Sequence, residues 1–397
     1  MQNQNEIEVL LQLMSAALRP NLEKPLTWNP ACNLPKLEEM ILTQNLVSIV
    51  YPVIERQEGT CWSLLREHLR TPFDRAVHKA VTQEYEIQAL LHAMEKDSIN
   101  CLPMKGWVMR NYYPNPLMRS MSDFDLLIQD LDSIQMQEWM KSHGYIPVRV
   151  RQSFHEQYKK PPYMFIELHH HLLYENTLHP KPAALNEEAI WHHVIPVESK
   201  QHIYQLHDEA FYLHHLLHFY RHFTSSGVGL RFLADFYVFL RQKGSALNWE
   251  YIDHCLEELH LLDFSEQMKR TAMLSFEDQS PDEKASIIVN FLVSGGVHGS
   301  EQIQEISYLL NHNSKSSYSC QKVRSLIRRC FPPLAMMQDQ YTRLCDTPWL
   351  LPFYWGVRAG RIFFRENERI KIMRTYQTRE EYQKLKTVYR AAGIIKD

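Results

Sequence analysis

The stretch that decides the fold is Leu102-Pro-Met-Lys105-Gly106-Trp-Val-Met-Arg-Asn-Tyr-Tyr-Pro-Asn-Pro-Leu-Met-Arg119-Ser-Met-Ser-Asp123-Phe-Asp125-Leu-Leu-Ile128, read together with Phe165-Ile-Glu167-Leu-His169. Asn100–Met104 is a short apolar run ended by Lys105-Gly106, and Ser122–Ile128 alternates before turning apolar, so both read as buried strands. Between them, Trp107–Tyr113 reads as a short helix stopped by Pro114 and Pro116. Downstream, Asp132 opens a helix that runs through His143, with Gly144 at its C-cap. Tyr145–Val150 and Met164–Leu172 are two further strand candidates. The pattern describes a small sheet-bearing unit.

Helical periodicity surrounds this unit on both sides. Pro72–Asp97 carries Val77, Ala80, Val81, Tyr85, Ile87, Leu90, Leu91 and Met94 at spacings of three and four, the mark of a long helix with one buried stripe. Leu206–His222 and Leu230–Gln242 are helical again, and the second is apolar nearly all round. Phe331–Trp355 is rich in proline and aromatics and reads as an irregular connector, followed by a basic helical tail over Arg358–Arg390. The expected class is α+β: a small mixed sheet over 99–204, flanked by helical regions over 1–98 and 205–397.

Composition narrows the function classes. The 397 residues carry 43 basic and 46 acidic side chains, a net charge of −3, so no overall positive field draws in nucleic acid. Seven scattered cysteines form no C-x-x-C pair, which favours a reduced, cytoplasmic protein over a disulfide scaffold or a zinc ribbon. The N-terminal stretch reads as an amphipathic helix rather than a signal peptide. The most apolar windows fall short of the about 18 residues needed to span a bilayer. Of the 21 histidines, 14 lie between His143 and His222, a concentration that raises the question of metal binding.

The sharper chemistry lies in carboxylates. Residues i and i+2 of a strand share a face, so Asp123 and Asp125 project together beside apolar Leu126, Leu127 and Ile128. Two anions in such a setting repel and lose hydration, and a divalent cation such as Mg²⁺ relieves both costs. The competing use of the aspartates is as turn or N-cap residues. Alternation also puts Glu167 and His169 on one face. If the two strands are neighbours, three carboxylates converge on one edge, with Glu167 placed to serve as base or metal ligand. Lys105 and Arg119 supply positive charge for a polyphosphate, Gly106 gives the turn its flexibility, and His169 can orient a carboxylate from behind.

Taken together, LPMKGWVMRNYYPNPLMRSMSDFDLLI, IELHHHL and LRFLADFYVFL resemble the bacterial uncharacterised nucleotidyltransferase family of the DNA polymerase β-like superfamily. The similarity runs from about residue 40 to about residue 370 and takes in FPPLAMM and PWLLPFYW. The resemblance implies a small mixed sheet with helices on one side, metal-binding Asp123 and Asp125, a third carboxylate at Glu167, and Lys105-Gly106 at the phosphate turn. It implies transfer of a nucleoside monophosphate from an NTP, with ATP the first choice, to an acceptor hydroxyl with two Mg²⁺ ions. The acceptor is left open between a small molecule, a glycan and a protein, and the net charge of −3 disfavours nucleic acid. Where the wider superfamily has Gly-Ser or Gly-Gly at the phosphate turn, this chain has Gly106-Trp107.

Two other readings stand beside this one. A nucleotide-binding module that has lost turnover would serve a biosynthetic pathway. A metal phosphohydrolase would use His207-Asp208 together with ligands from neighbouring helices, Asp235 among them. His214, His218 and His222 share one helix face, yet position 215 is histidine where a metalloprotease needs glutamate. That stripe reads either as a cleft wall or as a polar seam of unligated imidazoles. Arg231 and Asp235, four apart, are expected to pair along their helix, and the resemblance makes both of them cleft candidates as well.

Overall fold

The computed structural model describes residues 3–19, 25–129, 132–149, 155–169, 190–225, 227–277, 281–295, 303, 331–334, 337–338, 341, 343–364 and 379–395. Helices α1 (Gln4–Leu18), α2 (Leu34–Thr43), α3 (Val47–Ile54) and α4 (Thr60–Lys96) come first. The sheet unit follows with β1 (Cys101–Pro103), α5 (Gly106–Met109), β2 (Phe124–Ile128), α6 (Ser133–Ser142), β3 (Ile146–Arg149), β4 (His155–Lys160) and β5 (Met164–His169). A small ladder, β6 (Val194–Pro196) and β7 (Tyr204–Leu206), leads into α7 (Asp208–Phe223), α8 (Leu230–Lys243), α9 (Trp249–Glu258), α10 (Leu262–Phe276) and α11 (Glu283–Gly295). Near the C-terminal end are α12 (Leu351–Phe364) and α13 (Arg379–Ala391). The fold is α+β, and no helix among the described residues is long and apolar enough to cross a membrane.

The sheet has the order β1-β2-β5-β4-β3. β2 is antiparallel to β1 and parallel to β5, and β4 returns antiparallel beside β5. All five β2 residues are buried, which their position between two strands and two layers of side chains demands. Phe124, Leu126 and Ile128 join Ile166 and Leu168 on one face, packed against Ile87, Leu90 and Met94 of α4 and Met136 and Met140 of α6. Each such side chain contributes about 1.5–3 kcal/mol of transfer free energy. Leu127, on the opposite face, belongs to a second core shared with α7, α8 and the N-terminal helices.

α4 differs from the expected helix in two ways. It begins at Thr60, twelve residues before Pro72, because Trp62, Leu65 and Leu69 continue the buried stripe upstream. Val81 and Tyr85 are exposed, at 51% and 71%. The true stripe steps through Ala80, Gln83, Ile87, Leu90 and Met94, and at about 100° per residue Val81 lies about 140° and Tyr85 about 180° from its centre. Gln83 fills its polar place by donating to the Tyr163 carbonyl at 3.2 Å. β4 has no strand signal in the sequence, because His155-Glu-Gln-Tyr-Lys-Lys160 is polar and its buried Glu156 does not look like a core residue. Ser133 Oγ and Tyr158 Oη both donate to the Glu156 carboxylate, which makes that burial possible. The expected irregular connector holds a short helix at Arg343–Asp346 and a 3₁₀ turn at Pro348–Leu350 before α12 starts at Leu351, with Pro352 tolerated in its first turn. Residues 150, 170–172 and 365–378, expected to extend two strands and the basic tail helix, lie outside the described residues.

N- and C-terminal helices share one apolar core, and Gln44 ties them at its centre. Fully buried, Gln44 donates to the Leu292 carbonyl at 3.0 Å and the Val293 carbonyl at 2.7 Å, and accepts from Leu230 N–H at 2.9 Å. Replacement by alanine leaves three main-chain groups without that partner. Gln44→Ala is expected to lower unfolding stability by about 2–4 kcal/mol, read from urea melts, with Gln44→Glu costing a comparable amount.

Candidate active site

The parallel register sets Asp125 directly beside Glu167 and Leu127 beside His169. Neighbours in register point to the same side, so Asp125, Glu167 and His169 meet on the sheet face opposite the α4–α6 layer. Their ligand atoms all lie within 4.8 Å of one another, the one such group of three among the described residues. His169 Nε2 is 2.9 Å from Asp125 Oδ1 and 3.8 Å from Glu167 Oε2. Gln157, across from Glu167 on β4, donates to Glu167 Oε1 at 3.0 Å. Asp123 stands just before β2 and outside this trio.

Electrostatics bind Asp123 to the group all the same. Burial raises the Asp123 carboxyl above its ordinary range, and the charges of Asp125 and Glu167 push it further. Burial acts on Asp125 in the same direction, but Lys105 and His169 outweigh it and hold Asp125 below the usual carboxylate range. Lys105 Nζ rests 2.5 Å from Asp125 Oδ1, and only 17% of the lysine side chain is exposed. The backbone at Lys105 has φ 48° and ψ −117°, a region costly for a residue with Cβ. That turn lets the strand reverse while Met104 N–H still donates to the Asp125 carbonyl at 3.0 Å.

Gly106 follows in a crowded place. A Cβ there would lie 3.2 Å from Met121 Cγ and 3.3 Å from Arg119 Nη1. The helix it opens is only four residues long and runs into the 3₁₀ turn Arg110–Tyr112. Its dipole is therefore slight, so any anion at this turn depends on side-chain charge rather than on the helix end.

Arg119 is placed differently from a free phosphate ligand. Its guanidinium forms a two-pronged pair with Asp235, Nε to Oδ1 at 2.7 Å and Nη2 to Oδ2 at 2.8 Å, and Nη1 donates to the Ser120 carbonyl at 2.6 Å. Tyr113 Oη also donates to Asp235 Oδ1, at 2.7 Å. The sheet unit is thereby bolted to α8 through a fully buried aspartate. Arg231, expected to pair with Asp235, instead sends Nη1 to the Ser120 carbonyl at 3.2 Å, and its buried Nε has no hydrogen-bond partner. Burial and the neighbouring Arg119 bring the Arg231 guanidinium down to about 10.

Lys79, which no sequence motif marks, stands one turn before Gln83 on α4. Burial lowers its ammonium pKa, Asp123 pulls it back up, and Arg231 lowers it. Lys79 and Arg231 thus bring cations to the loop before β2 from the N-terminal and C-terminal helices. Three-residue spacings cannot reveal such a pair, because the two lie 152 positions apart and meet only through the fold.

The α7 histidines occupy the wall above Lys105. Burial and the adjacent Lys105 charge depress His214 to about 3 and push His218 well below its ordinary value. Burial, Arg221 and Lys105 bring His222 to about 4. The imidazoles are neutral near pH 7, with His218 Nε2 and His222 Nε2 3.0 Å apart. The His207-Asp208 doublet builds no centre among the described residues: Asp208 pairs with Lys243 at 2.8 Å, and Asp235 is committed to Arg119.

A model of the family described as uncharacterised nucleotidyltransferases matches residues 33–277, more than half of the chain. The chain belongs to this family. The match contains the Asp125–Glu167–His169 trio, Lys79, Lys105 and α8, and it ends before FPPLAMM and PWLLPFYW. No curated protein and no solved structure matches.

His215 generates a pH prediction. It stacks among Phe211, Phe232 and Phe236, its Nε2 has no hydrogen-bond partner, and burial brings it to about 4. The unfolded chain takes up a proton near pH 6.5 and the folded one does not, so stability falls as pH drops from about 6.5 towards 4. The Asp235 charge pulls the ring's pKa up and Arg119 pushes it down, and Asp235 itself is held below the usual carboxylate range by Arg119. His215→Leu is expected to shrink the drop in Tm between pH 7.5 and pH 5, measured by calorimetry, while leaving Tm at pH 7.5 little changed.

Proposed function

We propose that this protein transfers a nucleoside monophosphate from an NTP, ATP first, to the hydroxyl of a small molecule, glycan or protein, with two Mg²⁺ ions. The observation that carries this reading is the register of Asp125 beside Glu167, with Asp123 raised by both. Such a set is self-repelling and becomes favourable when cations join it. Asp123, Asp125 and Glu167 would hold the metal. Bound there, Mg²⁺ would supply charge neutralisation on the phosphates and acidify the acceptor hydroxyl.

The chain's own side chains do the rest. Lys105 exchanges its hold on Asp125 for the polyphosphate, and Lys79 and Arg231 bind the same anion from the two helical regions. Gly106 permits close approach, and Arg119 steadies the turn through Asp235. Glu167, oriented by Gln157, helps hold the second ion or takes the acceptor proton, while neutral α7 imidazoles add no competing positive charge. Three carboxylates face three cations, so a divalent ion leaves excess positive charge that a triphosphate balances. A net charge of −3 gives no overall field that favours nucleic acid as acceptor. The described cysteines Cys32, Cys61, Cys101 and Cys255 are free, in keeping with a cytoplasmic protein.

Calorimetry of ATP binding, with and without Mg²⁺, tests the site. Wild type is expected to bind more tightly with Mg²⁺, and Asp123→Ala/Asp125→Ala to lose that gain; equal Mg²⁺ dependence in both would sink the assignment. Lys79→Met and Arg231→Met are each expected to weaken ATP binding by about tenfold, the worth of one charged hydrogen bond. Pyrophosphate release from labelled ATP in cell extract then separates a transferase from a module that binds without turnover.

A further inference from the structure

The donor set itself carries information about which ion it takes. An all-oxygen octahedron suits Mg²⁺, which binds at about 2.0–2.1 Å and keeps oxygen ligands. Here a nitrogen stands among the oxygens. His169 is buried, with 3% of its side chain exposed, and its Nε2 is 2.9 Å from Asp125 Oδ1. Neighbouring donors of an octahedral ion with bonds of about 2.1 Å are separated by about 3.0 Å. The Nε2–Oδ1 edge already has that length, and the 3.8 Å edge to Glu167 Oε2 closes by a side-chain adjustment. Glu167 is the more exposed partner, at 18% against 3% for His169.

We infer that His169 is a direct ligand at this centre, and that its nitrogen makes the site favour Mn²⁺ over Mg²⁺. Imidazole raises affinity for first-row transition ions, while two carboxylates and phosphate oxygens keep the site oxygen-dominated and of the Mn²⁺ type. Zn²⁺ is a poorer fit, because its sites are four-coordinate and built chiefly from nitrogen and sulfur. Coordination needs the Nε2 lone pair, so a bound ion takes the place of the present Nε2···Oδ1 hydrogen bond with Asp125 and the ring hydrogen sits on Nδ1. The buried neutral wall of His214 and His218 leaves the ion without a competing cationic imidazole. This inference rests on the metal-site reading proposed above, yet it concerns one ligand and one selectivity.

The test uses the full chain, Mn²⁺ and Mg²⁺ as the probes, and pulsed electron paramagnetic resonance. Protein-bound Mn²⁺ is expected to show nitrogen coupling in the wild type and to lose it in His169→Gln. Calorimetry is expected to give a Mn²⁺ preference of about tenfold or more in the wild type, collapsing in His169→Gln while Mg²⁺ affinity stays within about threefold. Bound Mn²⁺ without nitrogen coupling in the wild type would overturn the inference, as would coupling that persists in His169→Gln. The wild-type spectrum decides even where the variant fails to fold. Loss of all ion binding in Asp125→Ala supports the underlying site, whereas a wild type that binds neither ion, with or without ATP, removes the site and the inference together.

Discussion

Two carboxylates side by side on adjacent parallel strands are the constraint around which this molecule is arranged. Asp125 and Glu167 share a register position at the middle of the sheet, where β2 is buried end to end. Left alone, such a pair would protonate or pull the strands apart. It stays ionised on the Asp125 side because Lys105 and His169 both contact Oδ1. Lys105 reaches that oxygen only from a turn with positive φ, and the turn keeps its shape because Gly106 packs on Met121 and the Arg119 guanidinium.

From there the dependence runs outward. Arg119 is buried and needs a counter-ion, which α8 provides in Asp235. Removing one partner of such a pair strands the other's charge, a cost of about 3–5 kcal/mol. The site's geometry and the packing of the C-terminal helices are therefore coupled through one ion pair. Burial of Asp235 in turn requires more than one donor, and Tyr113 Oη is the second. α7 closes the arrangement with imidazoles, polar enough to line the wall above Lys105 and neutral enough to leave its charge directed at Asp125.

Local signals made much of this readable in advance. Alternation in Ser122–Ile128 and Phe165–His169 placed both strands, and the i, i+2 rule paired Glu167 with His169 on one face. What alternation cannot encode is which strand lies beside which. The neighbouring of β2 and β5 had to be assumed, and β4 escaped notice because Glu156 hides a core position behind a charged side chain. Val81 and Tyr85 are apolar at a plausible spacing of four yet sit on the far side of the helix, while polar Gln83 holds a place in the buried stripe.

The residues least readable were those whose meaning is wholly tertiary. Arg119 and Asp235 each looked complete nearby, the first as a cation next to aspartates and the second as an i, i+4 partner for Arg231. Their pairing over 116 positions outcompetes both, because each desolvated charge is best offset by a two-pronged contact and only the other offers one. Arg231 is released by that choice, turned to the Ser120 carbonyl and left with an unsatisfied Nε. One buried ion pair thus decides which arginine serves as internal brace and which faces the acidic cleft, a distinction of function made by desolvation and geometry between two residues of the same type.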